Sequence, residues 1–242
     1  MTIRQQILAA GAVVALLAAP GAALAVSDPS LLSPANQALF TKKHLDSIKE
    51  PSVLVYDFEA KGSLLKPFDD TVEAEITAIN PDGGKDMTFH FLSGMNNVQF
   101  RDFLDQTHNP IAILFLERDV RAMEQATEGN ALYFRNRIKD ALSGYATVKD
   151  VSFELDGKTV NGTDISIQPY ANDPMNERYP RFAKKTYEFI LSDDVPGGVY
   201  KVVATTPDPS GDQPLTYDAI TFRELRKADV KKAQAEGPGN PN

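Results

Sequence analysis

The chain has 242 residues, with 25 basic against 33 acidic side chains, no cysteine and no tryptophan. The lack of cysteine excludes disulfide frameworks, cysteine zinc sites, iron–sulfur clusters and thiol nucleophiles, and a formal net charge of −8 argues against a general nucleic-acid binder. With 24% charged and 42% hydrophobic residues, the composition is that of an ordinary globular protein.

The first 25 residues have the three parts of a bacterial secretory leader. Arg4 supplies a positive charge, residues 7–19 are apolar or small, and Ala23-Leu24-Ala25 offers small side chains at a cleavage position. As a helix the apolar run would span about 20 Å, which is shorter than a bilayer core of about 30 Å. We therefore predict cleavage near Ala25 and a soluble periplasmic or secreted protein whose mature chain has no transmembrane segment.

The mature chain is expected to contain one α+β domain over residues 26–222, with a sub-boundary considered near 145–150. The domain opens with a predicted helix that Ser33 caps, that has Pro34 at its first position, and that ends at Glu50-Pro51. The tail over 223–242 is predicted to be helical at first and then disordered.

A β-rich stretch follows the first helix. Residues 53–58 (VLVYDF) are β-branched and aromatic, and residues 71–79 (TVEAEITAI) alternate between apolar and polar side chains, so both are predicted strands. The turn sequence at 80–84 (NPDGG) and the alternation of Met87, Phe89 and Phe91 predict a hairpin.

The centre of the chain changes character. Residues 111–116 (IAILFL) are continuously apolar, which favours a central strand that is covered on both faces. A helix is predicted from its cap Asn130 to Ser143, with Gly144 as its stop. Its buried face is expected to consist of Ala131, Phe134, Ile138, Ala141 and Tyr145.

The last third returns to strands that are joined by turns, with a polar loop over residues 171–181. The strands are expected near residues 151–155, 165–167, 187–191, 199–205 and 215–222. About nine strands and three or four helices, with turns between successive strands, predict an α+β fold with a mainly antiparallel, curved sheet and helices packed on it. A sandwich-like C-terminal part is a variant of this prediction.

Catalytic motifs are scarce in this sequence. It has no G-x-S-x-G elbow, Walker A loop, dinucleotide fingerprint or H-E-x-x-H helix. The three histidines, His44, His90 and His108, lack the i, i+4 spacing of a metal site, and we interpret them as surface or edge residues. No catalytic residue, metal or cofactor is therefore predicted.

Two regions are candidates for ligand or partner binding. The first is a cationic patch at a cleft, which would hold an anionic group; its predicted residues are Arg118, Arg121, Tyr133, Arg135 and Arg137. The second is the loop over 169–181, with Tyr170, Arg178 and Tyr179 as anchors of a binding surface. Local ion pairing in the first region, and packing of the loop on the sheet in the second, are the alternatives.

The leading functional hypothesis is an exported, non-catalytic periplasmic protein with a binding, carrier or accessory role in the cell envelope. Its ligand would be apolar or anionic, or its partner would be an envelope protein, and no nucleic acid is expected. Two alternatives stay open. One is a periplasmic hydrolase that uses dispersed acidic or histidine side chains, and the other is a structural protein-interaction module.

Overall fold

The computed structural model describes residues 32–228. The predicted leader and the tail from residue 229 onwards lie outside the described residues. In chain order the elements are α1 (Pro34–Phe40), β1 (Ser52–Lys61), β2 (Phe68–Ile79), β3 (Lys85–Phe91), β4 (Phe103–Gln106), α2 (Ile111–Thr127), α3 (Ala131–Gly144), β5 (Thr147–Leu155), β6 (Lys158–Ile167), β7 (Thr186–Leu191), β8 (Val199–Thr206) and β9 (Thr216–Lys227), with short 3-10 turns at Gly94–Asn96 and Pro180–Phe182.

All nine strands belong to one curved antiparallel sheet, in the order β4-β3-β2-β1-β9-β8-β7-β6-β5. The predicted α+β fold is confirmed. The sandwich-like C-terminal part is wrong, because β5 to β8 continue the same sheet through β9, which pairs with both β1 and β8. Strands β4 and β5 form the opposite edges, so the chain crosses from one edge to the other through α2 and α3.

The two faces of the sheet differ in chemistry. On β1 the alternate residues Leu54, Tyr56 and Phe58 are fully buried in the core that the helices cover. The opposite face carries ion pairs between strands, such as Arg226 with Glu73 at 2.9 Å and Arg223 with Asp57 at 2.7 Å. The alternation of apolar and polar residues that predicted a sheet with one wet face is confirmed.

The predicted strand at residues 111–116 is wrong, because these residues form the first part of α2. The side chain of Asn109 accepts a hydrogen bond from the backbone N–H of Ile111, which starts the helix. Apolar residues then continue at helical spacing through Val120 and Met123, and both are buried. Ile113 is 39% exposed, whereas a strand covered on both faces would bury all six residues.

Two other predicted boundaries are also corrected. The first helix is capped by Ser33 as predicted, but it ends at Phe40, because the chain bends there and the N–H of Leu45 donates to the carbonyl of Thr107. The predicted helix from Arg223 is strand β9 as far as Lys227, because these residues pair with the first half of β1. Their charged side chains therefore face solvent from a strand.

The turns and the cap of α3 match the predictions. The N–H of Asn80 donates to the carbonyl of Gly84, which closes the predicted hairpin between β2 and β3. The side chain of Asn130 accepts hydrogen bonds from the N–H groups of the first turn of α3. The prediction for Tyr145 is wrong, because this residue lies beyond the helix end and is 52% exposed instead of buried.

Candidate functional site

The arginines of the first predicted region are held by carboxylates. Arg135 makes a two-pronged contact with Glu117, through Nε at 2.8 Å and Nη2 at 2.5 Å, and Arg121 lies 3.4 Å from the same carboxylate. Hydrogen bonding from Arg135 is the main cause that lowers the pKa of Glu117. α2 and α3 thus bring these two cations together around one acidic side chain.

Arg118 points in another direction, toward the sheet. Its guanidinium lies over the ring of Phe58, 4.7 Å from the centroid, and 3.2 Å from the carboxylate of Asp218 on β9. The structure therefore separates Arg118 from Arg121 and Arg135, although α2 carries both Arg118 and Arg121. Burial is the main cause that raises the pKa of Asp218, and Arg118 opposes that rise.

Arg118 belongs to a buried charge cluster, whose other members are Asp119, Lys185, Tyr187 and Asp218. The ammonium of Lys185 lies 2.8 Å from Asp119, and the hydroxyl of Tyr187 donates to the other oxygen of Asp119 at 2.6 Å. The side chains of Asp119 and Lys185 are almost completely buried. Two acidic and two basic groups balance one another in this cluster, which joins α2 to β7 and β9.

The second predicted region, the loop after β6, is attached to α3. The hydroxyl of Tyr133 donates to Asp173, and Arg137 lies 3.6 Å from the other oxygen of that carboxylate. Burial, followed by this hydrogen bond, raises the pKa of Tyr133 to about 12. Tyr170 is only 3% exposed, so it belongs to the core and cannot serve as a surface anchor.

The remaining residues of the loop lie nearer its surface. Tyr179 packs against the ring of Phe134 at 5.5 Å, and Arg178 lies over the ring of Tyr179 at 5.4 Å. The structure thus brings Tyr133, Arg137 and Tyr179 together around one end of α3. In this cluster the aromatic and cationic side chains mainly contact one another and Asp173.

A groove runs along the other side of this loop, at the rim of the sheet. It consists of two adjoining depressions, of about 330 and 600 Å3, which share Gln168, Ala171 and Thr186. The smaller depression is also lined by Tyr145, Thr147, Ser166, Ile167 and Asn172, and the larger one by Ala183, Lys184, Thr205 and Pro207. We call this feature the rim groove. The sequence analysis proposed the loop beside this groove as a binding region, but it did not name Tyr145 or Lys184 as candidates.

A second cavity, of about 330 Å3, lies at the opposite rim beside His44. The sequence predicts a surface or edge position for His44, but it is only 7% exposed, and neither ring nitrogen has a hydrogen-bond partner among the described residues. Burial lowers the pKa of His44 to about 4, and the nearby Lys42 and His108 side chains contribute in the same direction. The backbone of Ala38 opposes this change, although it does not reach hydrogen-bond geometry with the ring. The ring packs on Gly198, whose φ is +74° and where a Cβ would lie 2.6 Å from the imidazole.

The described part of the chain offers neither a metal cluster nor a membrane-spanning helix. Within residues 32–228, no group of three or more His, Asp or Glu side chains is arranged to hold a metal ion. In the same range, no helix combines the length and the apolar character that a membrane crossing requires.

No family model matches the chain, and no curated protein matches its sequence. Among solved structures, a LolA superfamily protein from Nitrosomonas europaea matches with 5% sequence identity and a TM-score of 0.23, over 81% of this chain and 94% of that chain. A TM-score this low does not establish a shared fold, and it supports no statement about function.

Proposed function

We propose that this chain is an exported, non-catalytic binding protein of the bacterial cell envelope, and that its ligand lies in the rim groove. The observation that carries the proposal is the chemistry of the groove. Among the described residues that line it none is acidic, although acidic side chains outnumber basic ones by 33 to 25 in the whole chain. The combined size of its two depressions is in the range of small-molecule sites.

The charge of the groove favours a ligand with an anionic group. Lys184 is the one cation among the described lining residues, its side chain is exposed, and no ion pair within residues 32–228 includes it. The arginines on α2 and α3 differ from it, because carboxylates 2.5 to 3.6 Å away already neutralise them. An unpaired ammonium beside neutral side chains can bind an anion without first losing a partner.

The packing of the core favours a site at the surface over one inside the sheet. The face of the sheet that the helices cover is filled by apolar residues of α2 and α3, and Phe115 and Phe134 are buried in the same core as Tyr187 and Phe189. A ligand beneath the helices would have to displace these side chains, whereas the rim groove is open as it stands.

The experiment is a native mass spectrum of the mature protein, purified gently from its own periplasm. We expect a reproducible mass above that of the bare chain, lost on denaturation. The matched pair is Ala183→Trp, which fills the groove, and Ala122→Trp, which adds the same side chain to an exposed position on α2. The additional mass should disappear in the first variant and persist in the second.

Two outcomes would overturn the proposal. One is a bare monomer mass for the wild-type protein under gentle conditions. The other is an additional mass that Ala183→Trp leaves unchanged, because the ligand would then lie elsewhere. An integer multiple of the chain mass would favour the interaction-module alternative and direct attention to the interface between copies.

A further inference from the structure

We propose that the ligand of the rim groove is an acidic oligosaccharide; this inference rests on the proposed function and gives it a substrate class. The first observation is the kind of polar group in the lining. Half of the twelve described lining residues carry an aliphatic hydroxyl or an amide side chain: Thr147, Ser166, Thr186, Thr205, Gln168 and Asn172. Each of these groups both donates and accepts hydrogen bonds, as the hydroxyls of a sugar do.

The second observation is the aromatic residue at one end of the groove. Tyr145 follows α3, is 52% exposed, and lines the smaller depression. An exposed tyrosine ring offers a flat apolar surface with a polar edge. The carbon face of a sugar ring, with hydroxyls at its periphery, is complementary to that surface. Such a ring would lie on Tyr145 while its hydroxyls meet the polar side chains of the lining.

The third observation is the position of the charge. Lys184 lines the larger depression, and Tyr145 lines the smaller one. A ligand that contacts both must extend past Gln168, Ala171 and Thr186, which the two depressions share. A chain of linked rings can contact both depressions at once. An acidic substituent would then face Lys184, the one cation among the described lining residues.

Fatty acids and nucleic acids fit the same lining less well. The apolar lining residues are Ile167, Ala171, Ala183 and Pro207, of which Ile167 is almost fully buried, and hydroxyl side chains interrupt them. An acyl chain prefers a continuous apolar wall. Nucleic acids require several cations along a backbone, and the described residues of the lining provide one.

The test is titration calorimetry with defined oligosaccharides at low ionic strength. The acidic probes are tetragalacturonate, tetramannuronate and a hyaluronan tetrasaccharide, and the neutral probe is maltotetraose. We expect at least one acidic probe to bind, and to bind about tenfold more tightly than maltotetraose. Lys184→Gln should remove that preference, while Lys42→Gln at the opposite rim should leave it unchanged.

The tyrosine supplies a second, independent readout. Tyr145→Ala should weaken the binding of acidic probes by about tenfold, because the stacking surface is lost, while Tyr145→Phe should retain most of the affinity. Tyr145 is exposed, so neither variant is expected to unfold the chain. Circular dichroism of each variant checks this directly.

The outcomes separate this inference from the proposed function. If none of the three acidic probes binds, while the native adduct is still lost in Ala183→Trp, the groove is a binding site but the saccharide class is wrong. The same conclusion follows if palmitate binds in the groove and the saccharides do not. If the native mass spectrum shows no additional mass and none of the saccharide probes binds, both proposals are wrong.

Discussion

Protonation of the buried His44 is expected to lower the stability of this protein in acid. The imidazole of His44 packs on Gly198 and is surrounded by Lys42, His108 and Asp193, with both ring nitrogens buried and without hydrogen-bond partners in the described part of the chain. A charged imidazolium in this position would lose its hydration without gaining a hydrogen bond. Burial therefore lowers the pKa of His44 from 6.5 to about 4.

The sign of the effect follows from linkage. As the pH falls through 6.5, His44 takes up a proton in the unfolded chain, whereas in the folded chain it stays neutral until the pH is about 4. The free energy of unfolding therefore decreases over that window and does not depend further on His44 below it. When the pKa of a group differs by one between the folded and unfolded chain, the free energy of unfolding changes by about 1.4 kcal/mol, so the full effect of His44 is about 3 kcal/mol.

The assay is urea unfolding followed by circular dichroism at pH 7.5 and pH 4.5. His44→Gln removes the titrating group, so its free energy of unfolding should fall less between the two pH values than that of wild type, by about 2 to 3 kcal/mol. Other titrating groups are common to both proteins and cancel in this difference. His90→Gln is the control, because that side chain is half exposed on β3.

Two results would refute this reasoning. One is a loss of stability in His44→Gln between pH 7.5 and pH 4.5 that equals the loss in wild type. The other is an NMR titration in which the His44 resonances of the folded protein change near pH 6.5. Equal denaturant dependence at both pH values is required for the comparison, since a change in slope would mean that the unfolded state has changed as well.

Three further predictions concern the core, a helix cap and the leader. Lys185→Met should destabilise the protein by about 3 to 5 kcal/mol, because it leaves Asp119 buried without its cation. The double variant Asp119→Asn with Lys185→Met should lose less than half as much stability. Urea unfolding measures both losses, and equal losses would contradict the role of the charge pair. Asn130→Ala should cost about 1 kcal/mol in thermal or urea unfolding, since the first turn of α3 loses its side-chain acceptor, and an unchanged stability would contradict the cap. The exported protein should begin at Val26 in amino-terminal sequencing, and a retained leader would contradict the predicted cleavage.

The buried charge cluster shows why the arginine region could be found in the sequence but not interpreted there. Arg118 and Arg121 are three residues apart on one helix, yet one faces the sheet and the other faces solvent. The i, i+4 spacing predicts that Glu117 pairs with Arg121, and it does, but its shorter contact is with Arg135 of the next helix. The choice between a free cationic patch and paired charges depends on how two helices pack.

The predictions of strands, turns and helix caps depended on local patterns. Alternation over residues 71–79, the turn at 80–84, and the caps at Ser33 and Asn130 are properties of a few consecutive side chains and their own backbone. Such signals act over one turn or one hairpin, so they can be detected before the fold is known. The fold class followed from them, because hairpin turns require antiparallel neighbours.

Where the local sequence was equally compatible with two arrangements, only the tertiary structure could decide between them. The run at 111–116 is apolar enough for a buried strand or a buried helix, and packing on the sheet decided for the helix. The segment from Arg223 extends β9 because it pairs there with the first half of β1. The rim groove likewise joins Tyr145, Gln168, Lys184 and Thr205, residues from distant parts of the chain that only the sheet brings together.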